Sequence, residues 1–142
     1  MNESKQVLDG LISTVQMGQL GIRAVMDYAV RVELKNALQS QLAEYDKVET
    51  QAHELAEARN WELKEVNPAI RSMAAWMSKM RLSFGRPDSK IAAMMIQGNT
   101  RGMILGLKDL HAAKRLDESV KNLGKHLLDL EEANIRQMQG FL

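Results

Sequence analysis

Among the 142 residues there are three histidines, His53, His111 and His126, and no cysteine. Without cysteine there is no thiolate ligand, cysteine nucleophile or disulfide, so any site chemistry rests on imidazoles, carboxylates and amides. His126, Asp129 and Glu132 follow one another at intervals of three, on one side of a helix. A carboxylate and an imidazole one turn apart can grip one cation, and Glu49 with His53 could complete such a centre from a second helix. The same spacing also gives i, i+3 and i, i+4 pairing on a solvated face, worth a few tenths of a kcal/mol. These residues stand off the Leu123–Leu127–Leu130 stripe, so they read as surface, with a noncanonical metal site as the alternative. Ser13, Thr14, Ser72, Ser78, Ser83 and Ser89 have no histidine nearby in sequence, and the isolated Gly85 and Gly98 do not make a phosphate loop.

The neutral amides point inward instead. Met17-Gly18-Gln19 is echoed by Gln97-Gly98-Asn99, and in both places the apolar stripe carries the amide. Gln19 falls between Val15 and Ile22, and Asn99 between Met95 and Met103. A buried amide without a partner costs a few kcal/mol, so Gln19 and Asn99 are expected to bond each other, Tyr45 or trapped water. They read as a polar pin that fixes helix register, with a remnant ligand or metal site as the alternative. Gly98, Gly102 and Gly106 are spaced by four and predict close approach of a neighbouring helix, or of a large side chain such as Tyr45 or Tyr28.

Helices must position these residues. Leu, Ala, Met, Lys, Glu and Gln dominate the chain, and apolar positions recur at three and four rather than two. One stripe runs Leu8, Ile12, Val15, Ile22 and Met26; a second runs Leu34, Leu38, Leu42, Val48, Ala52 and Leu55, with Tyr45 among them. Fifty residues would make an exceptionally long helix, so a tight turn is expected around Val30-Arg31-Val32. The pattern lapses after Arg59. Asn67-Pro68 then starts a short helix carrying Ile70, Met73, Met77 and Met80, which stops at Ser83-Phe84-Gly85-Arg86-Pro87. Asp88 is placed to cap a third long helix through Ile91, Met95, Asn99, Met103, Leu107 and Leu110. A fourth begins near Asp117 and shows Val120, Leu123, Leu127, Leu130, Asn134 and Met138. The reading is all-α, one domain over 1–142. Two antiparallel hairpins are joined by a long crossover, about 60–87, with an extra short helix, which is the ferritin-like type of four-helix bundle.

Composition limits the partners. Nineteen basic residues against eighteen acidic ones give a net charge of +1, which offers no general attraction to nucleic acid or an anionic membrane. No apolar run approaches the roughly 20 residues of a membrane span, and Asn2, Glu3, Lys5 and Asp9 break up any leader-like apolar stretch. A soluble cytoplasmic protein is expected. The ten methionines read as core filling rather than a soft-metal site. Trp61, Trp76 and Phe84 flank the crossover and are the candidate interface residues.

The stretches Gly18-Gln19-Leu20-Gly21-Ile22-Arg23, Glu33-Leu34-Lys35 and Leu42-Ala43-Glu44 resemble a small uncharacterised bacterial branch of the ferritin-like superfamily. The crossover segment with Trp76 and the Gly98-bearing third helix are similar too, so the likeness extends over nearly the whole chain. A more distant resemblance is to ferritin-like spore-coat proteins, and it would imply a place in spore-surface assembly.

Iron-binding members of the superfamily carry a Glu on each of two helices and a Glu-x-x-His on each of the other two. Here Thr50, Lys108 and Leu123 stand three residues before the histidines, so no Glu-x-x-His exists. Gln19 and Asn99 match the lone-Glu positions, and the inward pair on the second helix is Tyr45 and Val48. The resemblance therefore implies a bundle without the standard di-iron centre, with no cofactor, acting as a structural or protein-interaction module, a homodimer by preference. The alternative is a metal-dependent oxidase or iron-handling protein using Glu49, His53, His126, Asp129 and Glu132.

Overall fold

Four helices carry the described residues, and the first and last of them begin at a side-chain cap. Residues 2–64 and 86–142 are described by the computed structural model, and within them there are four α-helices and no strand. Helix α1 spans Glu3–Met26, α2 Val32–Ala58, α3 Pro87–Ala112 and α4 Glu118–Gln139. Asn2 caps α1 by accepting the Lys5 N–H, and Asp117 caps α4 by accepting the N–H groups of Ser119 and Val120. Helix α2 ends in a Schellman arrangement. Asn60 takes a positive φ of 56°, its N–H reaches the Glu57 carbonyl, and the Trp61 N–H reaches that of Ala56. None of these described helices is long and apolar enough to cross a membrane.

The helices form a four-cornered bundle. α1 packs on α2 and α3, and α4 packs on α3 and α2. Each end is stitched by side chain to backbone bonds between sequence-distant pieces. At one end the Asp88 carboxylate, in the first turn of α3, accepts from Val30 N at 2.8 Å and Arg31 N at 3.0 Å. Asp88 thus ties α3 to the α1–α2 turn; the cap position of α3 belongs to Arg86, which makes no side-chain cap bond. At the other end Glu3 accepts the N–H groups of Lys114 and Arg115, and Ser4 Oγ accepts the Asp117 N–H. Arg59, just past α2, grips the Asp117 carboxylate through two nitrogens at 2.6 and 3.0 Å. So α1 and α4 run one way, α2 and α3 the other, and α3 starts at the opposite end from where α2 stops. By Lys64, whose N–H bonds Asp9 of α1, the chain has already turned back along the bundle.

The core is the meeting of the four stripes. Leu8, Ile12, Val15, Ile22 and Val25 of α1 are fully buried beside Leu34, Leu38 and Val48 of α2, Ile91 of α3, and Val120 and Met138 of α4. On α3 the buried face departs from the expected stripe. Ile91, Ala92, Met95, Asn99 and Gly102 are buried, whereas Leu107 is 39% exposed. A spacing of exactly four residues gains about 40° per step on a 3.6-residue turn, so Met103 and Leu107 rotate off the core and Gly102 takes over. The expected short helix, with Met73, Met77, Met80, Trp76 and Phe84, lies outside the described residues. Trp61 is described: it is half-buried, packs against the core, and has the Arg59 guanidinium 5.8 Å above its ring.

Candidate functional site: a polar cluster at the bundle centre

Tyr45 is the largest side chain buried in the described bundle, 1% exposed, and its hydroxyl sits where three helices meet. Tyr45 Oη lies 2.9 Å from Asn99 Oδ1 of α3, 3.2 Å from Glu131 Oε1 of α4 and 3.4 Å from Asn134 Nδ2 of α4. Asn99, Glu131 and Asn134 are each no more than 3% exposed. Two glycines make the room. A β-carbon on Gly18 would lie 2.7 Å from the Tyr45 ring, and one on Gly102 would lie 3.3 Å from Glu131 Oε1 and 3.0 Å from the Thr14 methyl. The tyrosine and the glutamate thus fill space that α1 and α3 leave empty.

Counting protons exposes a competition at the hydroxyl. A phenol has one hydrogen to donate and can accept two. Asn134 donates to Tyr45 Oη, and Tyr45 donates to Asn99 Oδ1. The same hydroxyl also lies within donating distance of Glu131 Oε1, so its single hydrogen has two acceptors to choose between, Asn99 Oδ1 at 2.9 Å and Glu131 Oε1 at 3.2 Å. Burial pushes the Glu131 carboxyl up to about 8, partly opposed by the hydrogen bond Tyr45 donates to it, so Glu131 keeps its proton at neutral pH. Burial drives the Tyr45 phenol well above its ordinary value, so it too keeps its proton. Asn99 Nδ2 and Glu131 Oε2 are buried with no partner among the described residues.

Of the amides read as interior, Asn99 bonds Tyr45 as expected. Gln19 is buried, but its Nε2 turns aside to Asp46 Oδ1 at 2.8 Å and Glu49 Oε1 at 3.5 Å, on the flank of α2. Gln16 also reaches Glu49, at 3.5 Å. Glu131 is the residue that sequence reasoning missed. The signal was available, because Glu131 lies four after Leu127 and three before Asn134, both stripe positions.

The structure does not gather the alternative ligand set. His53, His126, Asp129 and Glu132 are exposed, and Glu49 is half-buried beside the glutamines. Glu132 pairs with Arg136 at 2.6 Å instead. Among the described residues no group of three or more His, Cys, Asp and Glu is placed to hold a metal ion.

Beside the cluster runs a cleft of about 20 Å³, room for a single water molecule. It lies between α1, α3 and α4, with Gly10, Thr14, Gly102, Gly106 and Gly124 among its walls. Asp109 borders it too, and burial raises its carboxyl from the ordinary aspartate range.

No protein-family model matches this chain, and neither the curated proteins nor the solved structures contain a match to it.

Proposed function

We propose that this chain is a ferritin-like bundle without a di-iron centre, working as a structural or protein-interaction module and pairing with a second copy of itself. The observation that carries this reading is the donor set at the bundle centre. Where iron-binding members of the superfamily present Glu and Glu-x-x-His, the inward positions here are Asn99 on α3, Tyr45-x-x-Val48 on α2 and Glu131-x-x-Asn134 on α4. Gln19, at the α1 position, faces Asp46 rather than the centre. Hard and borderline divalent cations need anionic oxygens or imidazole. A phenol, two amides and one protonated carboxyl do not supply them, and they already bond one another. This donor set does not fit a di-iron centre.

Outward, apolar area supports the interaction role. Ile104 and Leu105 on α3 are about half exposed, at 49% and 48%. Val30 and Val32 at the α1–α2 turn are 69% and 65% exposed, at the end where Arg31 stacks on Phe141. Such area on a small helical bundle is suited to an interface.

Native mass spectrometry of the tag-free chain reads both parts of the proposal. The expected species is a dimer that holds no iron or manganese. A monomer at micromolar concentration overturns the pairing, and a stoichiometric metal adduct overturns the reading of the centre.

A further inference from the structure

We propose that the central cluster is a proton-operated latch: Glu131 carries a proton in the closed bundle, and losing it releases α3 and opens the α1–α3–α4 seam to water. The geometry supplies the coupling. In the closed state the single Tyr45 hydrogen goes to the nearer acceptor, Asn99 Oδ1 at 2.9 Å, joining α2 to α3, and Glu131 Oε1 stands as the alternative acceptor at 3.2 Å. When the Glu131 O–H gives its proton to solvent, a second strong acceptor appears on the same phenol. Tyr45 keeps its proton and can satisfy one acceptor only, and the charged one wins because charge-assisted bonds are about twice as strong. Asn99 then loses its bond to α2, and its Nδ2 is already without a partner among the described residues.

Nothing nearby relieves the new charge. Facing Glu131 are Tyr45 from α2, Asn99 and Gly102 from α3, Thr14 beside Gly102 from α1, and Asn134 on its own helix. Of these only Tyr45 titrates, and among the described residues no Lys, Arg or His pairs with the carboxyl. Asp109 lies farther along the cleft, with its Oδ2 where a Gly10 side chain would begin, and adds negative charge. The path for water is the cleft itself. Gly102 forms part of its wall and backs directly onto the Glu131 carboxyl, and at Gly10, Gly106 and Gly124 the wall is closed by the side chains of Asp109, Leu128 and Leu110, which are the groups that must part. A buried carboxylate in this position draws water in through the seam, since desolvated charge is costly.

The sign of the effect on stability follows. The unfolded chain loses the Glu131 proton near the ordinary glutamate value of 4.5, whereas the folded chain keeps it to about 8. Between these limits the folded state binds more protons, so stability falls as pH rises and levels off above the upper one. The latch stands whatever partner the bundle takes, and its test does not read oligomeric state or metal.

The experiment is amide hydrogen exchange on the wild-type chain and Glu131→Gln from pH 6 to 9, corrected for intrinsic base catalysis. Wild type is expected to lose protection tenfold or more in α3 around residues 95–106 between pH 7 and 9. Glu131→Gln, which retains an N–H to offer Tyr45, is expected to hold protection constant. Equal protection across the range in wild type, or the same loss in Glu131→Gln, overturns the proposal. A carbon-13 titration of the Glu131 carboxyl in wild type decides the matter should the variant fail to fold. A midpoint near 8 is expected, and a carboxylate already ionised at pH 6 overturns the latch.

Discussion

Replacing Tyr45 by Phe is expected to remove about 3–5 kcal/mol from the stability of the bundle, a large share of the 5–15 kcal/mol typical of a domain. The ring stays, so packing against Gly18 is preserved and only the hydroxyl is lost. That hydroxyl is the common partner of Asn99 Oδ1, Glu131 Oε1 and Asn134 Nδ2, all of them buried. Each buried group left without a partner costs about 1–3 kcal/mol. Re-pairing among the three recovers part of the sum, which is why the estimate falls below the full total. Urea unfolding measures it: the midpoint should drop with the slope unchanged. Tyr28→Phe is the control, since Tyr28 is 42% exposed and has no part in the cluster; its effect should stay within about 0.5 kcal/mol. A loss under about 1 kcal/mol for Tyr45→Phe would mean that the hydroxyl does not organise the centre.

Gly18→Ala should destabilise the protein by about 2–4 kcal/mol, against the usual sign of this substitution. In a helix interior Gly to Ala gains about 1 kcal/mol from propensity. Here the new methyl would sit 2.7 Å from two carbons of the Tyr45 ring and 3.1 Å from its oxygen. The ring has no space to retreat into, because it is buried and its hydroxyl is held by α3 and α4. Relief requires α1 and α2 to separate or Tyr45 to leave its partners, and overpacking of this kind costs more than propensity returns. Gly124→Ala makes a useful contrast, since its methyl would meet only the flexible end of Leu110, at 3.2 Å. The Gly18→Ala and Tyr45→Phe effects should also fail to add, because both act through one hydroxyl. Strict additivity in a denaturation series, or a stabilised Gly18→Ala, would contradict the packing described.

The sequence and the structure meet closely where periodicity governs. The four helices and the helix start at Asp117 are legible from apolar spacing and capping residues, and the turn before Val32 from length alone. Asn99 and Tyr45 are legible as interior because the stripes pass directly through them. Four features escape that reading. Glu131 is hidden by its type: carboxylates almost always face water, so a stripe read as Leu123, Leu127, Leu130, Asn134 steps over it. What reverses the expectation is protonation, a property of the assembled cluster and not of α4 alone. Gln19 is inward by its spacing, yet its partner is set by the neighbouring helix, where Asp46 and Glu49 offer charged acceptors that outcompete a neutral amide. On α3 a run at intervals of four looks like one face, but its slow rotation carries Leu107 outward and puts Gly102 against Glu131. Asp88 is of the same kind: a good capping residue by sequence, drawn across the bundle by two free N–H groups at Val30 and Arg31.

Thermal unfolding with and without metal tests the centre of the bundle most directly. A cation that binds the folded state alone raises the melting temperature by mass action. The wild-type chain, purified with a chelator, should melt at the same temperature with or without excess anaerobic iron(II) or manganese(II). Its Glu131→Gln variant should be equally indifferent, because neither presents an anionic centre at neutral pH. A rise of several degrees in wild type that Glu131→Gln abolishes would contradict the account, since it would place a metal among Tyr45, Asn99, Glu131 and Asn134.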